Sequence, residues 1–429
     1  MIFLRNSLLI LFLSAITFCS FAAVTRSIRS FGAKGDGITN DQDAFQKAAE
    51  FFNKNGGNGK LIIPTGTYLV GRQTPSKTPD RYLLEEDIFY LKNATHFSIE
   101  GSGKVKIKYA DKLRFGSFNP ADGTKFTPKS MPFFDASKLA QLGCLFRFED
   151  CSFISVINVE ADGNNTNMII GGPYGDMGIQ LWHYGLHLTN CHDINITQTN
   201  MHHFCLDGLM IKNSDKENAH IILSNSSFNY NGRQGFSLVG GKGIMVRKCS
   251  FNHTGQAGVD SPPHAGVDIE AEGGNTISDG LFENCTFINN KGCGLLADNG
   301  ESAGMTFKNC TFWGIDNWSI WVVQKAYSFY NCAIFGSLVH GCYTSNYAEA
   351  TKFFSCVFKD SAYNGREPYG KFLLECDTRK KMVFDQCSFI ARHKQIMWYN
   401  GVGSKAKEDQ VEFKHCTMEA NGKKEALNN

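Results

Sequence analysis

Asp268 and Glu270 lie two residues apart in the run Gly266-Val267-Asp268-Ile269-Glu270, so in a strand both carboxylates project from one face. Their Cα atoms would then be roughly 6.5–7 Å apart, which suits an inverting glycosidase pair with a water between. The same spacing, with Asp298 added, would hold Ca²⁺ between carboxylate oxygens. Like charges that close push one pKa up, as a general acid requires. Glu272 continues the parity. A second set is basic: Lys212, Arg233 and His264, with His202 and His203 on a preceding turn and Asp207 nearby. A base, a cation that neutralises a carboxylate and an acid for a leaving oxygen are the parts of a β-elimination. Trp182, Tyr184 and Tyr230 offer stacking faces, and Gln180, Gln234, His203 and Asp298 offer hydrogen bonds to a ligand. Each residue also has a plainer reading. Exposed carboxylates are often only solvated, Asp207 would bond backbone amides at a corner, Arg233 would pair with Asp207 or Asp268, and His264 would be a loop residue after Pro262-Pro263.

Residues so far apart in sequence need a repeat to bring them together. The word polar-Cys-small-apolar recurs, as in Asp150-Cys151-Ser152-Phe153, Asn190-Cys191, Lys248-Cys249-Ser250-Phe251, Asn284-Cys285-Thr286-Phe287, Asn309-Cys310-Thr311-Phe312 and Gln386-Cys387-Ser388-Phe389. Asn225-Ser226-Ser227-Phe228 is one more copy without the thiol. From Ser226 onward the copies fall roughly 22 to 36 residues apart, a loose period that marks a solenoid. Between copies run short segments rich in Val, Ile, Phe and Thr, too short and wrongly patterned for helices. The expected fold is an all-β solenoid, a single-stranded parallel β-helix, in preference to an antiparallel sandwich.

Glycine begins a second word. Aligned on Gly178, Gly208, Gly235, Gly266 and Gly294, the first and third residues that follow are all apolar and face the core. The second and fourth face outward: Gln180/Trp182, Met210/Lys212, Ser237/Val239, Asp268/Glu270 and Leu296/Asp298. Asp176, Arg233 and His264 each stand two residues before the aligned glycine.

The chain has 429 residues and a formal net charge of +2, with no Lys/Arg-rich run of the kind that tracks phosphates. Nucleic acid is therefore not an expected partner, and no stretch beyond the N-terminus is apolar enough to span a bilayer. Residues 1–22 read as a signal peptide, with Arg5, an apolar run from Ser7 to Phe21 and small residues near Ala22, so a secreted or periplasmic protein is expected. Phe18 argues against lipid attachment at Cys19. The fifteen cysteines read mostly as small interior hydrophobes rather than designed pairs, and no spacing suggests zinc.

Residues 28–71 read as an N-terminal cap. Thr39, Asn40 and Asp41 start a helix whose stripe is Ala44, Phe45, Ala48, Phe51 and Phe52, and Gly56 stops it. The words Phe31-Gly32-Ala33-Lys34-Gly35-Asp36-Gly37-Ile38-Thr39-Asn40-Asp41 and Pro64-Thr65-Gly66-Thr67-Tyr68 resemble the N-terminal signature of the pectate lyase superfamily, which includes polygalacturonase-like hydrolases. The resemblance implies a right-handed parallel β-helix acting on a polysaccharide. It departs from the hydrolases in telling places. Cys205-Leu206-Asp207-Gly208 keeps one Asp of their motif, Arg233-Gln234-Gly235 lacks the paired Asp of the next, and Arg-Ile-Lys is missing.

The expected domain runs over 24–420, with early coils and a long wall-forming loop in 72–140, regular coils in 141–420 and a frayed tail in 421–429. Lysis of a uronate-containing polysaccharide is the leading expectation, with Asp268, Glu270, Arg233, Asp207, Lys212 and His264 as the reacting groups. A hydrolase built on Asp268/Glu270 with Asp207 is the second, and a non-catalytic carbohydrate-binding or adhesive β-helix the third.

Overall fold

The computed structural model describes residues 23–427 apart from 76–81, 215–217, 337–338, 341–345, 371, 378–381, 393–394, 401–410 and 421. The expected signal peptide and Cys19 lie outside the described residues. Among those described, no helix is long and apolar enough to cross a membrane.

The polar-Cys word is a corner. The residue before the cysteine takes left-handed backbone, with φ 56° at Asn284, 52° at Asn309 and 52° at Asn331. Asn tolerates that region better than other residues with a Cβ, which explains its recurrence. The thiol then turns inward and donates to backbone carbonyls: Cys310 Sγ lies 3.3 Å from Lys308 O and 3.5 Å from Phe282 O, the latter one coil back. Cys144, Cys151, Cys191, Cys205, Cys249, Cys285, Cys293, Cys310, Cys332, Cys356, Cys387 and Cys416 are free and buried. Phe287 and Phe312 stack one above the other with centroids 4.4 Å apart, and Phe329 and Phe353 do so at 4.6 Å. Fully burying each such ring contributes about 1.5–3 kcal/mol.

Three parallel ladders wind around this core. One carries Phe89–Lys92, Phe146–Glu149, Leu186–Thr189, Asp207–Lys212, the start of Gln234–Arg247, Ala265–Ile269, Leu295–Ala297 and Ile320–Val322. The second carries Thr95–Tyr109, Ser152–Ile157, His192–Thr197, Asn218–Ser224, the end of Gln234–Arg247, Leu281–Glu283 and Thr306–Lys308. The third runs through Glu160–Asp162, Asn200–His202, Ser227, Ser250, Thr286–Ile288 and Thr311–Gly314.

The ladders correct the sequence reading of the cysteines, because there are two corners and not one. Cys151 and Cys191 sit between the first and second ladders, whereas Ser226, Cys249, Cys285 and Cys310 sit between the second and third. One coil earlier the counterpart of Ser226 is Thr199, whose N–H donates to Ser226 Oγ at 3.1 Å. A row of one residue type had merged two rows that share the same corner geometry.

Helix α1, Gln42–Lys54, caps the first coil and buries Phe45, Ala48 and Phe52. Asp41 precedes it but does not cap it through its side chain. Its carboxylate accepts the N–H groups of Lys34 and Gly35 at 2.7 and 3.0 Å, pinning the Gly-rich loop of the signature. In the region expected to form the wall, short strands Thr74–Pro75, Leu83–Leu84, Arg114–Ser117 and Leu139–Ala140 join Ile169–Ile170 in a small side sheet. The tail expected to fray instead folds back: Lys423–Leu427 pairs antiparallel with Cys416–Ala420.

Candidate active-site cleft on the first ladder

The glycine alignment holds for four coils. Leu209, Phe236, Val267 and Leu295 pair in succession, so Gly208, Gly235, Gly266 and Gly294 stack. It fails at Gly178. The partner of Leu209 is Leu186, which makes Gly185 the stacked glycine and puts His187 and Thr189, not Gln180 and Trp182, in the outward positions. The outward row therefore reads Tyr90, Arg147, His187, Met210, Ser237, Asp268, Leu296 and Trp321. Successive members are about 4.8 Å apart, as neighbouring parallel strands must be.

His187 and Tyr184 form the central pair. Their rings stack with centroids 5.0 Å apart and planes 15° from parallel. Both are buried. Burial pulls His187 down to about 4, helped by the positive charges of Arg147 and Lys212. Burial pushes Tyr184 up, against the pull of Arg233. Neutral imidazole thus meets protonated phenol at neutral pH, and His187 Nδ1 has no hydrogen-bond partner. Lys212 lies on the neighbouring strand, two residues beyond the Met210 that pairs with His187.

Tyr184, Leu206, Met210 and Val239 join Cys144 in a small apolar cluster separate from the main core. It forms a dry floor on the outside of the sheet. Beside it Asp207, fully buried, receives Arg233 through two bonds, Nε to Oδ1 at 2.9 Å and a terminal nitrogen to Oδ2 at 2.5 Å. Burial pulls the guanidinium down, but the Asp207 charge more than offsets it, so Arg233 stays protonated. The structural reading of Arg233 thus holds, with Asp207 as the partner.

Gln234 pairs in register with Asp207 on one side and Ala265 on the other, and its amide donates to Asp268 Oδ2. Asp268 is 2 % exposed. Burial first and the Glu270 charge second hold its carboxyl well above the ordinary range. Asp268 Oδ1 and Gln234 Oε1 are both buried without partners. Burial also raises Glu270 and Asp298, which face the same patch. A Ca²⁺ ion there would need three carboxylates to converge. Among the described residues, the one His/Cys/Asp/Glu set whose ligand atoms all lie within 4.8 Å is Asp162, His202 and His203, so the Asp268–Glu270–Asp298 proposal for Ca²⁺ is not supported.

Three further expectations are corrected. His264 turns away from Asp268 and pairs with Asp260, a partner it shares with Lys291. Gln180 is spent on its own turn, its Oε1 accepting the Asp176 N–H at 2.8 Å. Tyr230 and His203 stack on each other at 5.2 Å, with His253 beyond at 4.6 Å, along the corner after the third ladder rather than on the cleft row. Trp182 reaches the cleft from the loop, not from the strand. Its ring lies 5.0 Å from the Arg147 guanidinium and 5.2 Å from His187. Tyr184 is a buried member of the site rather than an open platform.

Sequence reading missed Tyr90, Arg147 and His187. The signal was present in Tyr184-Gly185-Leu186-His187-Leu188, which has the same glycine-alternation word, but Gly178 took the place of Gly185. With Glu85, Asp87 and Trp182, Tyr90 and Arg147 line a cleft of about 550 Å³ that continues the row toward the cap. Arg147 is held there by Asp87 at 3.2 Å and Glu149 at 2.8 Å, and its guanidinium lies over the Tyr90 ring. Glu85 is buried, accepts the Arg72 N–H at 2.7 Å and is pushed by burial up to about 8.

Comparison with known proteins agrees with this architecture. A family model described as the right handed beta helix region matches residues 146–334. The A-module of the mannuronan C-5 epimerase AlgE4 of Azotobacter vinelandii superposes with a TM-score of 0.52 at 15% identity, covering 90% of this chain and 99% of that one. An exopolygalacturonase from Thermotoga maritima gives a TM-score of 0.42 at 14% identity, over 95% and 94% of the two chains. A curated relative named alginate lyase 7, also from Azotobacter vinelandii, is 35% identical over 85 residues, 20% of this chain. The chain spans only 9% of the length of that relative.

Proposed function

We propose that this chain, in fold a right-handed parallel β-helix of the pectate lyase and polygalacturonase-like kind, cleaves a uronate-containing polysaccharide by β-elimination. The observation that carries the reading is the His187–Tyr184 pair: a neutral imidazole with a free Nδ1 stacked on a protonated phenol, with Lys212 beside it. In this reading Lys212 faces the uronate carboxylate and offsets the charge that builds on it as C5 loses its proton. His187 takes that proton, the electron pair forms the C4–C5 double bond, and the C4–O bond breaks. The Tyr184 hydroxyl gives its proton to the departing oxygen. Asp268 and Gln234 would bind the adjacent sugar, and the cleft at Tyr90, Arg147 and Trp182 would bind sugars toward the cap.

The names of the similar proteins, a mannuronan C-5 epimerase and an alginate lyase, support a substrate of this class. They also favour a second reading, in which the same C5 proton is removed and then returned to the opposite face without cleavage. The hydrolase alternative is weaker, because Asp268, which it needs at the scissile bond, is buried and bonded to Gln234. An export signal in residues 1–22 would bring the enzyme to such polymers outside the cytoplasm.

The test is a set of purified polymers, acidic and neutral, assayed for ultraviolet absorbance and for reducing ends. Absorbance that rises with new ends supports elimination. New ends without absorbance would refute it, and glycan retention with neither would favour the adhesive reading.

A further inference from the structure

We propose that Asp162, His202 and His203 form a binding site for a divalent first-row transition metal at the corner where the third ladder turns toward the cleft. Asp162 and His202 are register partners on adjacent strands, so their side chains stand one above the other. His203 follows with left-handed backbone, φ 58°, which turns its ring back on its neighbour. The two Nδ1 atoms come to 2.7 Å, and Asp162 Oδ1 lies 3.8 Å from His202 Nδ1. The three ligand atoms lie within 4.8 Å of one another. Gly163 is what allows this closeness, because a Cβ there would meet Phe204 Cα at 2.5 Å and His203 O at 2.6 Å.

The outer shell is also built. His202 Nε2 faces Glu160 Oε1 at 3.5 Å, the carboxylate–imidazole arrangement that orients the other ring nitrogen, now sharing a hydrogen bond with His203 Nδ1, toward the metal position. The Tyr230 ring packs parallel to His203, 9° from coplanar, and fixes its plane. Lys106 holds Asp162 Oδ2 at 2.9 Å and Glu160 at 3.0 Å, while Oδ1 accepts the Asn164 N–H at 2.9 Å and lies on the side of the imidazoles. Against that one cation stand two carboxylates, so the site retains a net negative charge. Two imidazoles and a carboxylate suit Zn²⁺, Co²⁺ or Ni²⁺ rather than Ca²⁺ or Mg²⁺, which prefer all-oxygen shells. All three side chains are only partly buried, so an ion can enter and keep open positions.

The test is Co²⁺ titration of the untagged full chain, followed by visible absorption and by competition with Zn²⁺. One equivalent per chain with a ligand-field band, displaced by Zn²⁺, is expected. His203→Asn keeps a residue that tolerates the left-handed backbone and removes the ligand; it should abolish the band while the circular dichroism stays unchanged. Glu160→Gln should weaken binding by about 10–100-fold. Absence of a stoichiometric band in the wild type, or a band that survives both His203→Asn and His202→Ala, would overturn the site.

Discussion

His187 lies flat against Tyr184, ring centroids 5.0 Å apart, while its Nδ1 remains without a partner inside the protein. A buried imidazole nitrogen that forgoes a hydrogen bond costs stability, so its presence here calls for a functional reason. The stack fixes the ring plane and sets a proton acceptor beside a proton donor. Removing either should therefore act on turnover more than on binding. His187→Ala and Tyr184→Phe are each expected to lower kcat by about 10²–10⁴-fold with KM little changed, as steady-state kinetics will show.

Asp268 separates elimination from hydrolysis. Burial and the Glu270 charge raise its carboxyl well above the ordinary range, and it receives the Gln234 amide. Asn is nearly isosteric with the acid. Asp268→Asn should keep kcat/KM within about tenfold, a change of about 1.4 kcal/mol. A hydrolase built on Asp268 and Glu270 would lose activity entirely in the same assay.

The pH dependence of activity follows from His187. Its folded value, about 4, lies below the ordinary 6.5, so the neutral form persists well into acid. The acid limb of kcat/KM should fall near pH 4 rather than near 6.5. Stability follows the same sign. The folded value is depressed, so this contribution is full above pH 6.5 and is lost as pH falls toward 4.

Glu85 behaves in the opposite way. Burial raises it from 4.5 to about 8, so its contribution is full below pH 4.5 and is lost as pH rises through 8. Glu85→Gln should raise the melting temperature at pH 8 relative to wild type and do so less, or not at all, at pH 5. Thermal melts at the two pH values measure this difference directly.

Arg233 and Asp207 are a buried pair, with side-chain exposures of 15% and 0%. Arg233→Ala leaves Asp207 uncompensated and should cost about 3–5 kcal/mol in chemical denaturation. Arg233→Lys should recover only part of this, because an ammonium cannot reproduce the two-bond fork. Replacing both residues by apolar ones of similar volume should recover most of the loss.

The fold was legible because a corner imposes the same demands on every coil. Left-handed backbone before a small buried residue selects Asn-Cys, and the stacked interior selects Phe, so the repeat is written in residue type. The outward row was legible where glycine spacing stayed regular, at Met210, Ser237 and Asp268, while a register shift after Ile211 sets Lys212 beside Gly240 rather than Val239. It was not legible at His187, because the loop 171–184 contains Gly178-Ile179-Gln180-Leu181, which satisfies the same alternation without being a coil strand. Its apolar residues are buried for another reason: Ile179 N–H donates to Ser261 Oγ at 2.9 Å, which docks the loop on a neighbouring coil. Alternation reports burial and does not report which strand pairs with which. The turn of His264 toward Asp260 was likewise hidden, since a residue at a corner has no fixed parity.

In the proposed reaction His187 removes the C5 proton of a uronate. Proton NMR of a uronate polymer digested in D₂O reads this directly. New 4,5-unsaturated ends in which the C5 proton is gone are expected, in step with the ultraviolet absorbance, and neither signal with His187→Ala. Reducing ends that retain an unexchanged C5 proton, formed equally well by His187→Ala, would contradict it.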